Sequence, residues 1–166
     1  QARAALAQIE LSDERLSELN AEAAKIYPQL LRFAEELTAA RKKAADCFSE
    51  SVGEELRFLD MPNVKLSVSM EEGKPGPHGR DSVEFLISTN VGEPPKPIAR
   101  IASGGELSRM MLAVKNTLAE RDEIPTMIFD EIDTGVSGRA AQKIGLKLKQ
   151  AARHRQVLAV THSAQV

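Results

Sequence analysis

The sequence predicts an α/β lobe entered by a helical coiled-coil arm, and three observations predict it. Small or apolar residues repeat by seven along roughly the first 58 residues. The chain then changes to period-two alternation. In its last third it alternates helix, strand, helix, strand, the order that places parallel strands in one sheet.

The arm comes first. Ile9, Leu16, Ala23, Leu30, Leu37 and Ala44 form one row, and Leu19, Ile26, Phe33, Ala40 and Cys47 form a second row three residues on. Two such rows are the seam of a coiled coil; an amphipathic helical hairpin packed on the core is the alternative. Pro28 removes one rung of the backbone ladder and is expected to kink the arm without losing its phase. The expected domain division is residues 1–58 as arm, a returning helix, and 59–166 as lobe, truncated at both ends.

Residues 64–70 alternate, and 83–88 do so in part; Gly73, Pro75, Gly76, Pro77 and Gly79 between them predict a hairpin with a long loop. Gly92, Pro94, Pro95 and Pro97 predict irregular chain over 90–97. A helix is expected over about 106–120 with Leu107, Met110, Met111, Val114 and Leu118 inward. A strand follows over 126–129. A helix over about 137–152 turns Ile144 and Leu148 inward, and a buried strand covers 157–160.

The bulk numbers argue against several functions. A net charge of −2 gives no basic footprint for nucleic acid, and with no tryptophan and one tyrosine the chain is poorly equipped to stack on bases. No apolar run approaches the roughly 20 residues a membrane span needs. The single cysteine, Cys47, cannot form an internal disulfide and suits a reducing cytoplasm. The chain begins without methionine and ends just after a strand, so it reads as a piece of a longer protein.

Three motifs carry chemistry. Ser103-Gly104-Gly105-Glu106 precedes a helix, where free N–H groups and the dipole favour an anion and glycines allow close approach. The same residues also make a capping box, Ser103 with Glu106. Asp130-Glu131 ends the strand from Thr126. Asp130 is placed to hold Mg²⁺, usually through water, and Glu131 to polarise a water for attack. Thr161-His162 ends the last strand. Thr134-Gly135-Val136-Ser137 follows the acidic pair, where Thr134 or Ser137 also suits a helix cap. The phosphate-cradling pattern G-x-x-x-x-G-K-[ST] is absent from the 166 residues.

Extended to Ser103 through Arg109, SGGELSR resembles the signature motif of ABC-type ATPases, with Asp130-Glu131 as Walker B. An arm running straight into the lobe resembles the SMC-like branch, in which a coiled coil separates the Walker A lobe from the signature lobe. Phe85 to Asn90, Gly92 to Pro97, Ile101 to Arg109, Asp122 to Pro125 and Asp130 to Ala140 are similar to the bacterial RecN family of DNA-repair ATPases. The similarity covers about residues 52–166.

That resemblance implies the C-terminal lobe of a split P-loop NTPase head, with ATP and Mg²⁺ as cofactors. Two heads would sandwich ATP. Ser103, Gly104, Gly105 and Glu106 would face the γ-phosphate in trans. Asp130, Glu131 and the switch histidine His162 would act in cis, with Thr134, Gly135, Val136 and Ser137 as D-loop. The implied partners are the N-terminal Walker A lobe, a second copy, and DNA reached through other parts. The implied setting is double-strand-break repair and recombination in the cytoplasm, at the nucleoid, with no membrane. This segment alone is expected to be inactive. The alternatives are a structural coiled-coil tether with an incomplete head and, weighed lower, an ABC transporter domain.

Overall fold

A computed structural model describes residues 2–100, 104–119, 124–136, 138–153, 155–164 and 166, with side chains from Ser12 onward. The chain divides into two compact units, Gln1–Lys42 with Glu71–Ser82, and Lys43–Met70 with Val83–Val166.

Helix α1 (Ala2–Phe58) passes through Pro28 without interruption, and its residues up to Lys42 belong to the first unit. Proline removes one donor, and the rungs on either side keep the helix. The predicted seam lies open: Leu16, Leu19, Ile26, Leu30, Phe33 and Leu37 are all exposed. The neighbouring face is covered instead, with Ala34 and Thr38 buried.

The tip of a hairpin made by β1 (Lys65–Gly76) and β2 (Gly79–Ser88) covers that face. The long loop expected here is absent. Only Pro77 and His78 form the turn, so Gly73, Pro75, Gly76 and Gly79 lie in the strands. Gly79 has φ of 90°, a conformation glycine adopts without strain. A β-carbon there would stand 2.7 Å from Leu37 Cδ2, so the tip needs a glycine to lie this close to α1.

An ionic clamp fixes the tip. Asp81 accepts the Thr38 hydroxyl at 2.7 Å and Arg41 Nη1 at 2.9 Å, while Arg41 Nη2 donates to the His78 carbonyl at 2.7 Å. The Thr38 and Arg41 hydrogen bonds hold the Asp81 carboxyl below the usual carboxylate range.

In the second unit, β3 (Lys96–Pro97) pairs antiparallel with Leu86 and Ile87, so the sheet order is β1-β2-β3. The segment 90–97 is thus not wholly irregular; Pro97 is tolerated because β3 is an edge strand. A 3-10 turn, Ile98–Arg100, follows.

Helix α2 (Gly104–Thr117), strand β4 (Thr126–Phe129), helix α3 (Arg139–Ala151) and strand β5 (Gln156–Ala159) complete the unit. β4 and β5 pair in parallel, Thr126 opposite Gln156 through Phe129 opposite Ala159.

One core joins these elements. Val52 and Leu56 enter it from α1 and Leu59 from just beyond the helix end, with Ile87, Met110, Leu112, Met127, Phe129, Ile132, Ile144 and Leu148. α3 turns Ile144 and Leu148 inward as its pattern predicts. The buried stripe of α2 differs from the expected one. It consists of Gly105, Arg109, Met110, Leu112 and Ala113, whereas Leu107, Met111 and Val114 are only half-buried. The helix is rotated because Gly105 and Arg109 face a loop, and apolar periodicity does not register a glycine or an arginine as inward.

β5 is not the buried strand its composition predicts. Its residues are exposed or half-buried, and Ile128, Leu158 and Val160 lie open. Alternation puts Met127 and Phe129 of β4 into the core and leaves Ile128 on the other face. Among the described residues no helix is long and apolar enough to cross a membrane.

Candidate functional site

The parallel pairing of β4 and β5 brings two predicted motifs to one sheet edge. β4 delivers Asp130 and Glu131 beyond Phe129, and Val160 extends the pairing by donating its N–H to the Phe129 carbonyl at 2.8 Å. Thr161, His162 and Ser163 follow Val160 at the same end. Asp130, Glu131 and His162 are all exposed.

The chain turns sharply after β4. Glu131 has φ of 54°, unusual for a residue with a side chain. The Thr134 N–H then bonds the Glu131 carbonyl at 3.0 Å, and the Val136 N–H bonds the Asp133 carbonyl at 3.2 Å. Gly135, with φ of 76°, supplies the second left-handed step.

The start of α2 is pressed against this turn. A β-carbon at Gly104 would lie 3.0 Å from Glu131 Oε2. One at Gly105 would lie 2.8 Å from Thr134 Cβ and 2.9 Å from the Glu131 carbonyl oxygen. The Ser108 hydroxyl donates to the Asp130 carbonyl at 2.7 Å, and Arg109 Nη1 donates to the carbonyls of Ile132 at 3.2 Å and Thr134 at 2.9 Å. Burial pulls the Arg109 guanidinium below its ordinary value, and the charge of Glu106 opposes that pull.

Asp133 ties the turn to the segment after β5. Its Oδ2 accepts the Thr161 hydroxyl at 2.8 Å and the backbone N–H groups of His162 at 2.8 Å and Ser163 at 2.7 Å. Burial pushes this carboxyl up, but the Thr161, His162 and Ser163 hydrogen bonds outweigh it and hold it below the carboxylate range. An open cleft beside it is lined by Asp133, Thr134, Gly135, Val136, His162 and Ser163.

The structure therefore gathers Gly104, Gly105, Asp130, Glu131, Thr134, Gly135, Val136 and His162 at or around one strand-end turn. Glu106 sits on α2, half-buried. Ser103 and Ser137 lie outside the described residues. The fastening roles of Ser108 and Arg109 escape a reading of motifs. The legible signal was a charged residue, Arg109, four positions after Gly105 on a helix otherwise apolar on that side.

No group of three or more metal-ligating side chains occurs among the described residues. An exposed aspartate beside a glutamate is still a donor set suited to Mg²⁺, which takes one or two carboxylates and completes its shell with phosphate and water. Gly104 leaves open the space a β-carbon would fill beside Glu131, at a helix N-terminus. These residues fit a magnesium–phosphate group.

No family model matches the chain. It is 39% identical over 163 residues to the DNA repair protein RecN of Vibrio cholerae, covering 97% of this chain and 29% of that protein. It is 42% identical over 159 residues to the RecN of Streptomyces coelicolor, covering 88% and 28%. The crystal structure of the Smc head domain with an extended coiled coil from Pyrococcus furiosus, bound to the C-terminal domain of ScpA, matches with a TM-score of 0.57. That match covers 95% of this chain and 38% of the other at 18% identity, a likeness of fold. The chain spans under a third of the length of the curated relatives it matches. By sequence it is similar to the C-terminal part of RecN proteins, and its fold is that of the corresponding part of an Smc head.

Proposed function

We propose that this chain is the signature-bearing half of an ATPase head that binds and hydrolyses ATP between two engaged copies during DNA double-strand-break repair. The observation that carries the reading is the parallel pairing of β4 with β5, which brings Asp130, Glu131 and His162 to one sheet end. An acid suited to activate water thus stands on the same edge as a histidine suited to meet the γ-phosphate.

In this reading Asp130 holds Mg²⁺, which screens the phosphate charge when bound. Glu131 orients a water and accepts its proton, and His162 donates toward the γ-phosphate. Gly104 and Gly105, with Ser103 and Glu106, serve the nucleotide of the partner head. Thr134, Gly135 and Val136, continuing to Ser137, form the D-loop at that interface.

The lobe with the phosphate-cradling motif is the cis partner. The open apolar face of Ile128, Leu158 and Val160 is suited to receive it, since a parallel sheet is ordinarily covered on both faces. We assign residues 1–58 to the arm and 59–166 to the lobe; the exposed Leu16-to-Leu37 seam supports a partner helix. DNA contact through other parts of the protein, and a place at the nucleoid, follow from the RecN likeness.

The test is ATP hydrolysis by this chain alone, by a mixture with the upstream lobe, and by the mixture carrying Glu131→Gln. The reading expects silence alone, turnover on mixing, and loss of about 10²–10⁴-fold with Glu131→Gln. Near-normal turnover in that variant removes Glu131 as the base. Silence in a well-folded mixture favours a structural tether, the reading that the exposed seam would then carry.

A further inference from the structure

Asp133 is shared by the two loops of the site and is 7% exposed. One of its oxygens, Oδ2, gathers the Thr161 hydroxyl and the backbone N–H groups of His162 and Ser163, all within 2.8 Å. Three donors on one buried oxygen hold a segment firmly, because leaving them unmatched costs more than forming them gains. The other oxygen, Oδ1, is buried with no hydrogen-bond partner among the described residues.

The turn that carries Asp133 is held from its other side. Arg109 binds the carbonyls of Ile132 and Thr134, the two neighbours of Asp133. The backbone of α2, the turn after β4 and the segment after β5 are thereby fastened in series. A shift of α2 at its N-terminus would pass through Arg109 to Asp133, and from Asp133 to the backbone of His162.

We infer that Asp133 is a positioning residue for His162, setting the imidazole by its backbone from the same turn that carries Glu131. The inference rests on the proposed role of His162. Asp133 acts through His162; it fixes where that residue stands when α2 meets the phosphate of the partner head.

The experiment uses the full-length protein and compares wild type, His162→Ala, Asp133→Asn, Asp133→Ala and the double variant Asp133→Ala with His162→Ala. ATP turnover and ATP affinity are both measured. His162→Ala is expected to lower kcat about 10²–10³-fold, the range for loss of a transition-state donor. Asp133→Ala should lower kcat comparably with affinity changed by under about threefold, and the double variant should be no slower than His162→Ala alone. Asp133→Asn keeps one acceptor oxygen and should fall between.

Losses that multiply in the double variant, or affinity that falls in step with kcat, would overturn the inference and make Asp133 a general prop. Where Asp133→Ala does not fold, Asp133→Asn in the His162→Ala background asks the same question with a near-isosteric side chain. Unchanged kcat in His162→Ala overturns both the histidine role and the inference, while Glu131→Gln still reports on the ATPase reading by itself.

Discussion

Gly105 lies against the backbone of Glu131 so closely that a β-carbon on it would stand 2.9 Å from the Glu131 carbonyl oxygen. Its neighbour Gly104 meets Glu131 differently, through the tip of the carboxylate. Two adjacent glycines, indistinguishable in the motif, thus do different things. One lets a helix pack on a turn, and the other leaves room beside an acid.

Substituting each separates those roles. Gly105→Ala drives a methyl into backbone and Thr134 that cannot swing aside, at a cost of about 1–3 kcal/mol. Better helix propensity returns at most about 1 kcal/mol of that. Gly104→Ala displaces only a flexible side-chain tip, so its stability should change by under about 1 kcal/mol while turnover falls with the misplaced Glu131. Thermal unfolding and ATP hydrolysis of both variants check this; equal stability losses would show that packing does not distinguish the two positions.

The hairpin tip depends on Asp81. Its side chain is fully buried and accepts from both Thr38 and Arg41. Asp81→Ala leaves Thr38 with the Ala34 carbonyl and Arg41 with the His78 carbonyl as acceptors, and by removing the side-chain clamp should loosen residues 71–82 from α1. Limited proteolysis reads the result, with faster cleavage near Gly76–Gly79 in the variant. Asp81→Asn, which keeps an acceptor for Thr38, should be cut at an intermediate rate.

A second ionic tie braces α1 to α3. Lys147 Nζ lies 2.6 Å from Glu55 Oε1 and 4.7 Å from the centre of the Phe58 ring. Glu55 Oε2 is already buried with no hydrogen-bond partner among the described residues. Lys147→Met keeps the aliphatic stem and strands the glutamate, which should cost about 1–3 kcal/mol. Adding Glu55→Gln to that variant should recover part of the loss, and a denaturation series on wild type and the two variants tests it.

The parts of this molecule that repeat or alternate were legible in its sequence: the helical run of α1, the inward face of α3, and the parallel pairing of β4 with β5. The strand-end acids were legible because four apolar or β-branched residues run directly into them. The features that escaped depended on partners distant in sequence. Gly73 to Gly79 carried every mark of a loop, yet they stay extended because α1 offers them a surface and Asp81 a clamp. Leu158 and Val160 looked buried because apolar strands usually are, and a sequence does not state which face of a sheet is covered. Arg109 was visible only as a letter in a motif; its work on the Ile132 and Thr134 carbonyls requires the turn after β4 to be in place.

Glu93 gives the fold a test in acid. Lys96, Thr89 and Asn90 bond its carboxylate, at 2.6 Å, 2.9 Å and 3.3 Å, and the Ser88 hydroxyl bonds its carbonyl at 2.9 Å. Lys96 above all, then Thr89 and Asn90, lowers its pKa from 4.5 to about 2. A pKa lower in the folded than in the unfolded chain means that the unfolded state binds the proton first as pH falls. The stabilisation is therefore complete above about pH 4.5 and is lost as pH drops toward 2. Glu93→Gln mimics the protonated form and should unfold at lower denaturant than wild type at pH 6. The difference should shrink through the pH 4.5–2 window and vanish at its acid end, whereas a gap that persists unchanged at pH 2 would show that the carboxylate charge does not hold the segment joining β2 to β3.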